Sequence, residues 1–365
     1  MKKEKELLKG NYAIAQAAVE AGCQSYFGYP ITPQSEIGEY MSTIMPEKGR
    51  AYVAAESEVA AISMVLGAGS TGVKAMTSSS SCAVALMQEG LSFIAGDEIP
   101  CVLVSVMRAG PGLGYIYASQ GDYYQTTKGG GNGDYKIVTY APSSVQECID
   151  LTYKCFHVSQ KYRTPVCLLA DGMLGQMMEP AVVGEYPYEE IDQSSWALDG
   201  AKDREPRFIA SIERDQETLR KRVVKIFEKY KKILDNENVF EKYEIEGAKL
   251  VITAFGSIAR IAKAAVKKAR KNGLKVGLFR PVMLNPFPEK IVAEIAQKVD
   301  GILDIELNCG QMLQDIKASI AGAANIPVEF FGRPAGVMMT VEEIYKQIEN
   351  VYRKMEERQY GTACI

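Results

Sequence analysis

From residue 24 onward, short runs rich in β-branched and aromatic residues alternate with longer segments whose apolar positions recur at helical spacing. The runs QSYFGY, RAYVAA, VKAMTSS, CVLVSV, KIVTYA and PVCLLA read as strands. Between them, PQSEIGEYMSTIM, SEVAAISMVLGAG, CAVALMQEGLSFIAG and SVQECIDLTYKCFHVSQKY carry helical patterns. That alternation predicts an α/β fold built on a doubly wound parallel sheet. The first segment, MKKEKELLKGNYAIAQAAVEAG, begins basic, but Lys9, Asn11 and Gln16 interrupt its apolar positions, so it reads as an amphipathic helix rather than a signal peptide.

The pattern changes near residue 185. Residues 186–246 are polar and predict a partly helical connector, its clearest element a helix striped by Leu219, Val223, Ile226, Tyr230 and Ile233. A second α/β unit opens at AKLVITAFGS and continues through the helix IARIAKAAVKKARKNG. Further strands are expected at KVGLFRP, GILDIELN and PVEFFGRP. The expected division is therefore 1–185, 186–246 and 247–365.

A chain of 365 residues has room for two or three cores. Its formal net charge of −3 leaves no footprint for nucleic acid or an acidic membrane, and no apolar run reaches spanning length. A cytoplasmic location is expected. The eight cysteines include no C-x-x-C pair, which excludes a zinc ribbon or an iron–sulfur cluster built by local spacing. Cys101 and Cys167 sit in apolar runs, as core thiols do. The single histidine, His157, argues against a Ser-His-Asp hydrolase or a histidine-rich metal site.

Three positions carry candidate chemistry. In GYPITP, Gly28 to Pro33, Thr32 stands between two prolines; Pro33 suits a first helical position and Thr32 the cap before it, at a helix end that favours anions. The hydroxyl either caps that helix or meets a ligand. Glu58 opens a helix apolar or small on nearly every face, so the helix should be largely buried and the carboxylate needs a partner, either a structural donor or a ligand nitrogen. Glu56 is expected as a surface charge. Arg108 follows the strand CVLVSVM and precedes AGPGLG, a location suited to gripping a carboxylate, although a pairing with a loop acid fits equally. The polar, glycine-rich segment SQGDYYQTTKGGGNGDY suits an active-site loop. GAGSTG matches the dinucleotide pattern but follows a helix and precedes a strand, the reverse of the required context, and reads as a helix end and turn.

Taken together, GYPITPQSE, AESEVAAISMVLGAG, TSSSSCAVALMQEG, VMRAGPGLG, SQGDYYQTTKGGGNGDY and RTPVCLLADGMLG resemble the α subunit of 2-oxoacid:ferredoxin oxidoreductases, most closely the 3-methyl-2-oxobutanoate (2-ketoisovalerate) type. DIELNCGQML resembles the transketolase C-terminal fold. The resemblance implies a thiamine-diphosphate pyrimidine-type domain followed by a transketolase C-terminal-like domain. It implies that Glu58 hydrogen-bonds the pyrimidine N1′ of thiamine diphosphate and favours the imino tautomer that takes the proton from C2. Thr32 and Arg108 would bind the 2-oxoacid carbonyl and carboxylate, with Tyr29 and Pro30 beside the cofactor. A β subunit would carry the diphosphate and its Mg²⁺, since this sequence has no GDG followed by paired asparagines. Iron–sulfur clusters would lie on a ferredoxin-like subunit, alongside a γ subunit, with CoA and ferredoxin as co-substrates. The stretch TSSSSCAV departs from the family's usual T-S-G-P-G turn, which leaves the roles of Ser80 and Cys82 open. The alternatives are the same subunit type acting on 2-oxoglutarate or pyruvate, and a non-catalytic scaffold. Leu113, Tyr115, Ile116 and Tyr117, with no cation before Lys128, favour an uncharged substrate tail.

Overall fold

The computed structural model describes residues 4–361, with side chains through residue 358. Its larger sheet runs in the order Met283–Asn285, Val138–Tyr140, Pro165–Asp171, Cys101–Met107, Ala75–Ser79, Ser25–Gly28 and Ala51–Ala54. All neighbours are parallel except Met283–Asn285. In the central strand, Val102, Val104 and Val106 enter one core while Cys101, Leu103 and Met107 enter another, the period-2 alternation of a strand covered on both faces. The first core joins Ile14 and Val19 of the helix Gly10–Glu20 to Phe156 of Val145–Tyr162. The second takes Ile62 and Val65 of Glu58–Ser70 and Leu91 and Ile94 of Gln88–Gly96. This is the doubly wound arrangement expected. Burial pushes the Cys101 thiol up to about 12, which makes it an inert core group.

The smaller sheet runs Val328–Gly332, Gly301–Glu306, Leu250–Thr253, Val276–Pro281 and Phe240–Tyr243, the last strand antiparallel. Ile258 and Val266 of the helix Gly256–Lys271 and Ile348 of Val341–Gly361 pack on one face. Its other face, through Val251, Phe279 and Ile302, merges with the second core of the larger sheet. The two sheets therefore share apolar burial.

Four features differ from the local reading of the sequence. Phe240–Tyr243, within the expected connector, is an edge strand of the smaller sheet. Met283–Asn285 leaves the second unit and extends the larger sheet beside Val138–Tyr140. The N-terminal segment is not helical throughout: Glu6–Lys9 pairs antiparallel with Met178–Ala181 before the helix starts at Gly10. The stretch CAVALMQEGLSFIAG is split at Met87 into Ser81–Leu86 and Gln88–Gly96. Each strand is completed by hydrogen bonds from a distant segment, and strands of three or four residues hold too little pattern to announce them.

The helix Gln216–Glu237 is anchored at two places. Buried Glu237 accepts from Lys154 and from Lys161 at 2.7 Å, and Glu98 accepts from Lys225 and Lys229. Of the expected stripe, Ile226, Tyr230 and Ile233 are buried, while Leu219 is 43% exposed. No helix among the described residues is long and apolar enough to cross a membrane.

Candidate active site

Strand order in the larger sheet reverses between Ser25–Gly28 and Ala75–Ser79, because the chain first moves outward to Ala51–Ala54 and then returns to the opposite side. The carboxyl edge at such a reversal opens a crevice between diverging connections. The turn at residues 29–34 leaves one strand there, and Ser80 to Cys82 leaves its neighbour. Arg108 follows the end of Cys101–Met107, and Glu58 follows Ala51–Ala54 by one short turn.

Arg108 bridges the crevice. It is buried, with Nη1 donating to the Thr32 carbonyl oxygen at 3.1 Å and Nη2 donating to Cys82 Sγ at 3.0 Å. Its backbone N–H donates to Ser81 Oγ at 2.9 Å, and its Nε–H is buried without a partner. A guanidinium held by a carbonyl and a thiol, neither of them anionic partners like a carboxylate, keeps capacity to receive a carboxylate.

Thr32 does not cap the following helix. That helix begins at Ser35, with Gln34 in the cap position and no side-chain capping bond. The Pro33 carbonyl accepts from Asn11 Nδ2 at 2.7 Å and Gln176 Nε2 at 3.0 Å, and Gln34 Oε1 accepts from Ser78 Oγ at 2.5 Å. These bonds hold the turn away from helical geometry. The exposed Thr32 hydroxyl has no partner among the described residues, and Tyr29 and Pro30 are exposed beside it.

Glu58 is the first residue of its helix, and Ser57 caps that helix by accepting from Ala60 N at 3.2 Å. The glutamate is 7% exposed, and its carboxylate oxygens, which keep access to solvent, have no hydrogen-bond or ion-pair partner among the described residues. The helix itself is not buried all round: Val59, Ser63 and Gly67, spaced four apart and hence on one face, are exposed. The neighbouring edge strand exposes Val53, and Glu56 is exposed as expected.

The loop after Arg108 folds back through a bridge between Ala109 and Tyr115, with the Tyr115 and Tyr117 rings 4.5 Å apart. Leu113 at its tip is 80% exposed and lines no cleft with Thr32, contrary to the expected apolar pocket. Ile116 and Tyr117 do line one, a cleft of about 830 Å³ shared with Thr32, Met173 and Met338. Lys9 also lines it and pairs with Glu36 at 3.0 Å. The sequence reads Lys9 only as a polar break in an amphipathic helix, whereas it ends the strand Glu6–Lys9.

Two residues of the glycine-rich loop escaped the sequence reading. Gln120 is fully buried at the carboxyl end of the smaller sheet, donating to the Phe255 carbonyl at 2.6 Å and accepting from Leu307 N at 3.0 Å. The loop thus plugs the second sheet while reaching into the first. Asp122 accepts from the Ser81 hydroxyl. Burial raises its carboxyl from 3.8 to about 6, against the lowering effects of the Ser81 hydrogen bond and the Arg108 charge.

The family model described as "Pyruvate flavodoxin/ferredoxin oxidoreductase, thiamine diP-bdg" matches residues 16–244, and "Pyruvate:ferredoxin oxidoreductase core domain II" matches 248–344. The chain belongs to the 2-oxoacid:ferredoxin oxidoreductase family. It is 44% identical to the ketoisovalerate oxidoreductase subunit VorB of Methanothermobacter marburgensis, over 95% of this chain and 97% of that one. It is 35% identical to the 2-oxoglutarate synthase subunit KorA of Methanocaldococcus jannaschii, over 86% of this chain and 91% of the relative. The solved 2-oxoglutarate:ferredoxin oxidoreductase from Magnetococcus marinus, with 2-oxoglutarate, coenzyme A and succinyl-CoA bound, superposes with a TM-score of 0.85 at 25% identity. That match covers 96% of this chain and 66% of that one. A split-gene transketolase shares the fold, with a TM-score of 0.60 at 12% identity. Six of the seven strands of the larger sheet, with the carboxyl-edge crevice, thus lie in the thiamine-diphosphate-binding unit of this oxidoreductase family, and the strand Met283–Asn285 comes from the second matched unit.

Proposed function

We propose that this chain is the α subunit of a thiamine-diphosphate-dependent oxidoreductase that decarboxylates a branched-chain 2-oxoacid, 3-methyl-2-oxobutanoate, and with CoA and ferredoxin gives the acyl-CoA, CO₂ and reduced ferredoxin. The observation that carries the reading is Glu58, a residue buried but for its carboxylate, which has no partner among the described residues and opens at a switch-point crevice. A carboxylate that no described group of this chain pairs is free to accept from a ligand that brings its own donor, and closing the crevice over it would strengthen that bond. The protonated or imino form of an aminopyrimidine ring supplies that donor at N1′. Glu58 would hold the proton there and orient the ring, with Tyr29 and Pro30 at its edge. Bound thiamine diphosphate supplies the carbanion chemistry that a 2-oxoacid needs to lose CO₂. Arg108 would grip the substrate carboxylate and the Thr32 hydroxyl its carbonyl oxygen, which fixes the reacting carbon before chemistry begins.

The remaining parts belong to partners. The exposed face of Val59, Ser63 and Gly67, with Val53 beside it, suits coverage by a β subunit that carries the diphosphate and Mg²⁺. Iron–sulfur clusters are assigned to a ferredoxin-like subunit, and a γ subunit completes the complex.

The substrate rests on two supports. The match to VorB is stronger than that to KorA, at 44% against 35% identity. The cleft beside Thr32 offers Ile116, Tyr117 and Met338 to an apolar tail, and its one lysine is paired with Glu36. A second carboxylate, as in 2-oxoglutarate, would find no free cation among those lining residues. In the assembled enzyme with CoA and a low-potential acceptor, 3-methyl-2-oxobutanoate should give the highest kcat/KM among 2-oxoacids. A clear preference for 2-oxoglutarate or pyruvate overturns the substrate and leaves the family standing.

A further inference from the structure

The backbone that carries Arg108 is held by an arrangement separate from the side-chain contacts of its guanidinium. Ser81 is 5% exposed, and its Oγ accepts the Arg108 N–H at 2.9 Å. That oxygen has one proton to give. Asp122 Oδ2 lies closer to it than the Arg108 carbonyl, which is 3.2 Å away, so the proton goes to the carboxylate. The result is a short relay in which a loop carboxylate fixes a serine hydroxyl and the hydroxyl fixes the residue at the end of the strand. Gln125 adds to it by donating Nε2 to the Ser81 carbonyl at 3.0 Å.

Ser81 also has φ of +28°, in the left-handed range where glycine is at ease and a residue with a side chain is not. A serine persists in such a conformation where its hydroxyl or its surroundings over-determine it, and strained positions of this kind cluster at functional sites. The next residue, Cys82, presents its sulfur to Arg108 Nη2. One turn therefore holds Arg108 twice, through its amide and through its fork.

We propose that Ser81 and Asp122 are positioning residues for Arg108, setting the pose in which its guanidinium receives the substrate carboxylate, and that together they are determinants of 2-oxoacid affinity. This rests on the reading of Arg108 as the carboxylate clamp. Neither residue touches substrate; each acts through the arginine. The charged group facing Asp122 is the Arg108 guanidinium; the titratable Cys167 thiol also feels the Asp122 charge, and burial keeps it protonated and neutral. Protonation of Asp122 turns its acceptor into a donor and removes the negative charge beside Arg108, so affinity should fall on the acid side.

The test uses the assembled enzyme with CoA and a low-potential acceptor. Ser81→Gly suits the backbone conformation and removes only the hydroxyl; the relief of strain offsets part of the cost of leaving the Arg108 N–H and the Asp122 carboxylate without that partner. KM for the 2-oxoacid should rise about tenfold with kcat within about twofold. Asp122→Asn should raise KM in the same sense. The parent should show an acid limb near pH 6 in kcat/KM, and Asp122→Asn should lose it. Arg108→Lys runs in parallel. If both variants keep the parental KM and pH profile while Arg108→Lys loses kcat/KM, the positioning role is overturned and the clamp survives. If Arg108→Lys is silent as well, the clamp itself fails and takes this proposal with it. A fall in active enzyme with KM unchanged would mark a merely structural role and would also overturn it.

Discussion

The Thr32 carbonyl oxygen accepts a hydrogen bond from Arg108 Nη1 at 3.1 Å across a separation of 76 residues. The bond ties the turn after Ser25–Gly28 to the end of Cys101–Met107, two strands that are not neighbours in the sheet. Arg108 meets Thr32 through the backbone and so leaves the hydroxyl open. One residue can then serve as anchor for the clamp while presenting a second group to substrate.

Replacing Arg108 by Lys keeps the positive charge and removes the planar fork that spans Thr32 and Cys82. A charge-assisted hydrogen bond contributes about 1.5–3 kcal/mol, so kcat/KM for the 2-oxoacid should fall by roughly ten- to a hundredfold. Binding of thiamine diphosphate should change little. Steady-state kinetics and cofactor titration of the assembled enzyme check both halves, and a variant with parental kcat/KM on every 2-oxoacid would return Arg108 to a structural part.

Glu58→Gln preserves shape at a buried position but removes the charge that holds a proton at the pyrimidine. The complex should assemble, with exchange of the cofactor C2 proton slowed by roughly 10²–10⁴, the range of general acid–base catalysis. Hydrogen–deuterium exchange at C2, followed by acid quench and NMR, reads this directly. Exchange at the parental rate would remove Glu58 from the proton path.

Gln120 joins the two sheets, and Gln120→Ala would leave the Phe255 carbonyl and the Leu307 N–H without partners in a buried setting. Each orphaned group costs about 1–3 kcal/mol, so the destabilisation should be on the order of 2–6 kcal/mol. Because the same loop carries Asp122, KM for substrate should rise too. Thermal unfolding and kinetics measured together would refute the bridge if neither moves.

Asp122 gives a pH dependence whose sign can be worked out. Its carboxyl titrates at about 6 in the folded chain against an ordinary value of 3.8. Between these values the folded state binds more protons than the unfolded, so stability falls as pH rises through the window. The loss is about 3 kcal/mol at most, reduced because the residue is partly exposed. Asp122→Asn should therefore be more stable than the parent above pH 6, with the gap closing below pH 4, even as substrate affinity declines. Thermal scans of both enzymes at pH 4 and pH 8 supply the comparison, and a gap that widens toward acid contradicts the assignment.

Local pattern determined much of this protein. Strand runs such as CVLVSV and PVCLLA, bounded by turns and separated by helical periods, specify the doubly wound sheet because period and length record which faces are buried. The motifs around Thr32, Glu58 and Arg108 placed candidate residues on connections that the fold brings to one carboxyl edge. Tertiary structure alone decided how they are held. Thr32 looked like a helix cap, but hydrogen bonds from Asn11 and Gln176 to Pro33 pull its turn off the helix. The strand Met283–Asn285 completes a sheet that begins more than two hundred residues earlier in the chain, and Gln120 and Asp122 look like ordinary loop polar groups until their partners arrive. The open face of Val59, Ser63 and Gly67 likewise has no packed counterpart among the described residues. A burial period is written residue by residue along the sequence, whereas a hydrogen bond between distant segments exists only once both ends have been brought together.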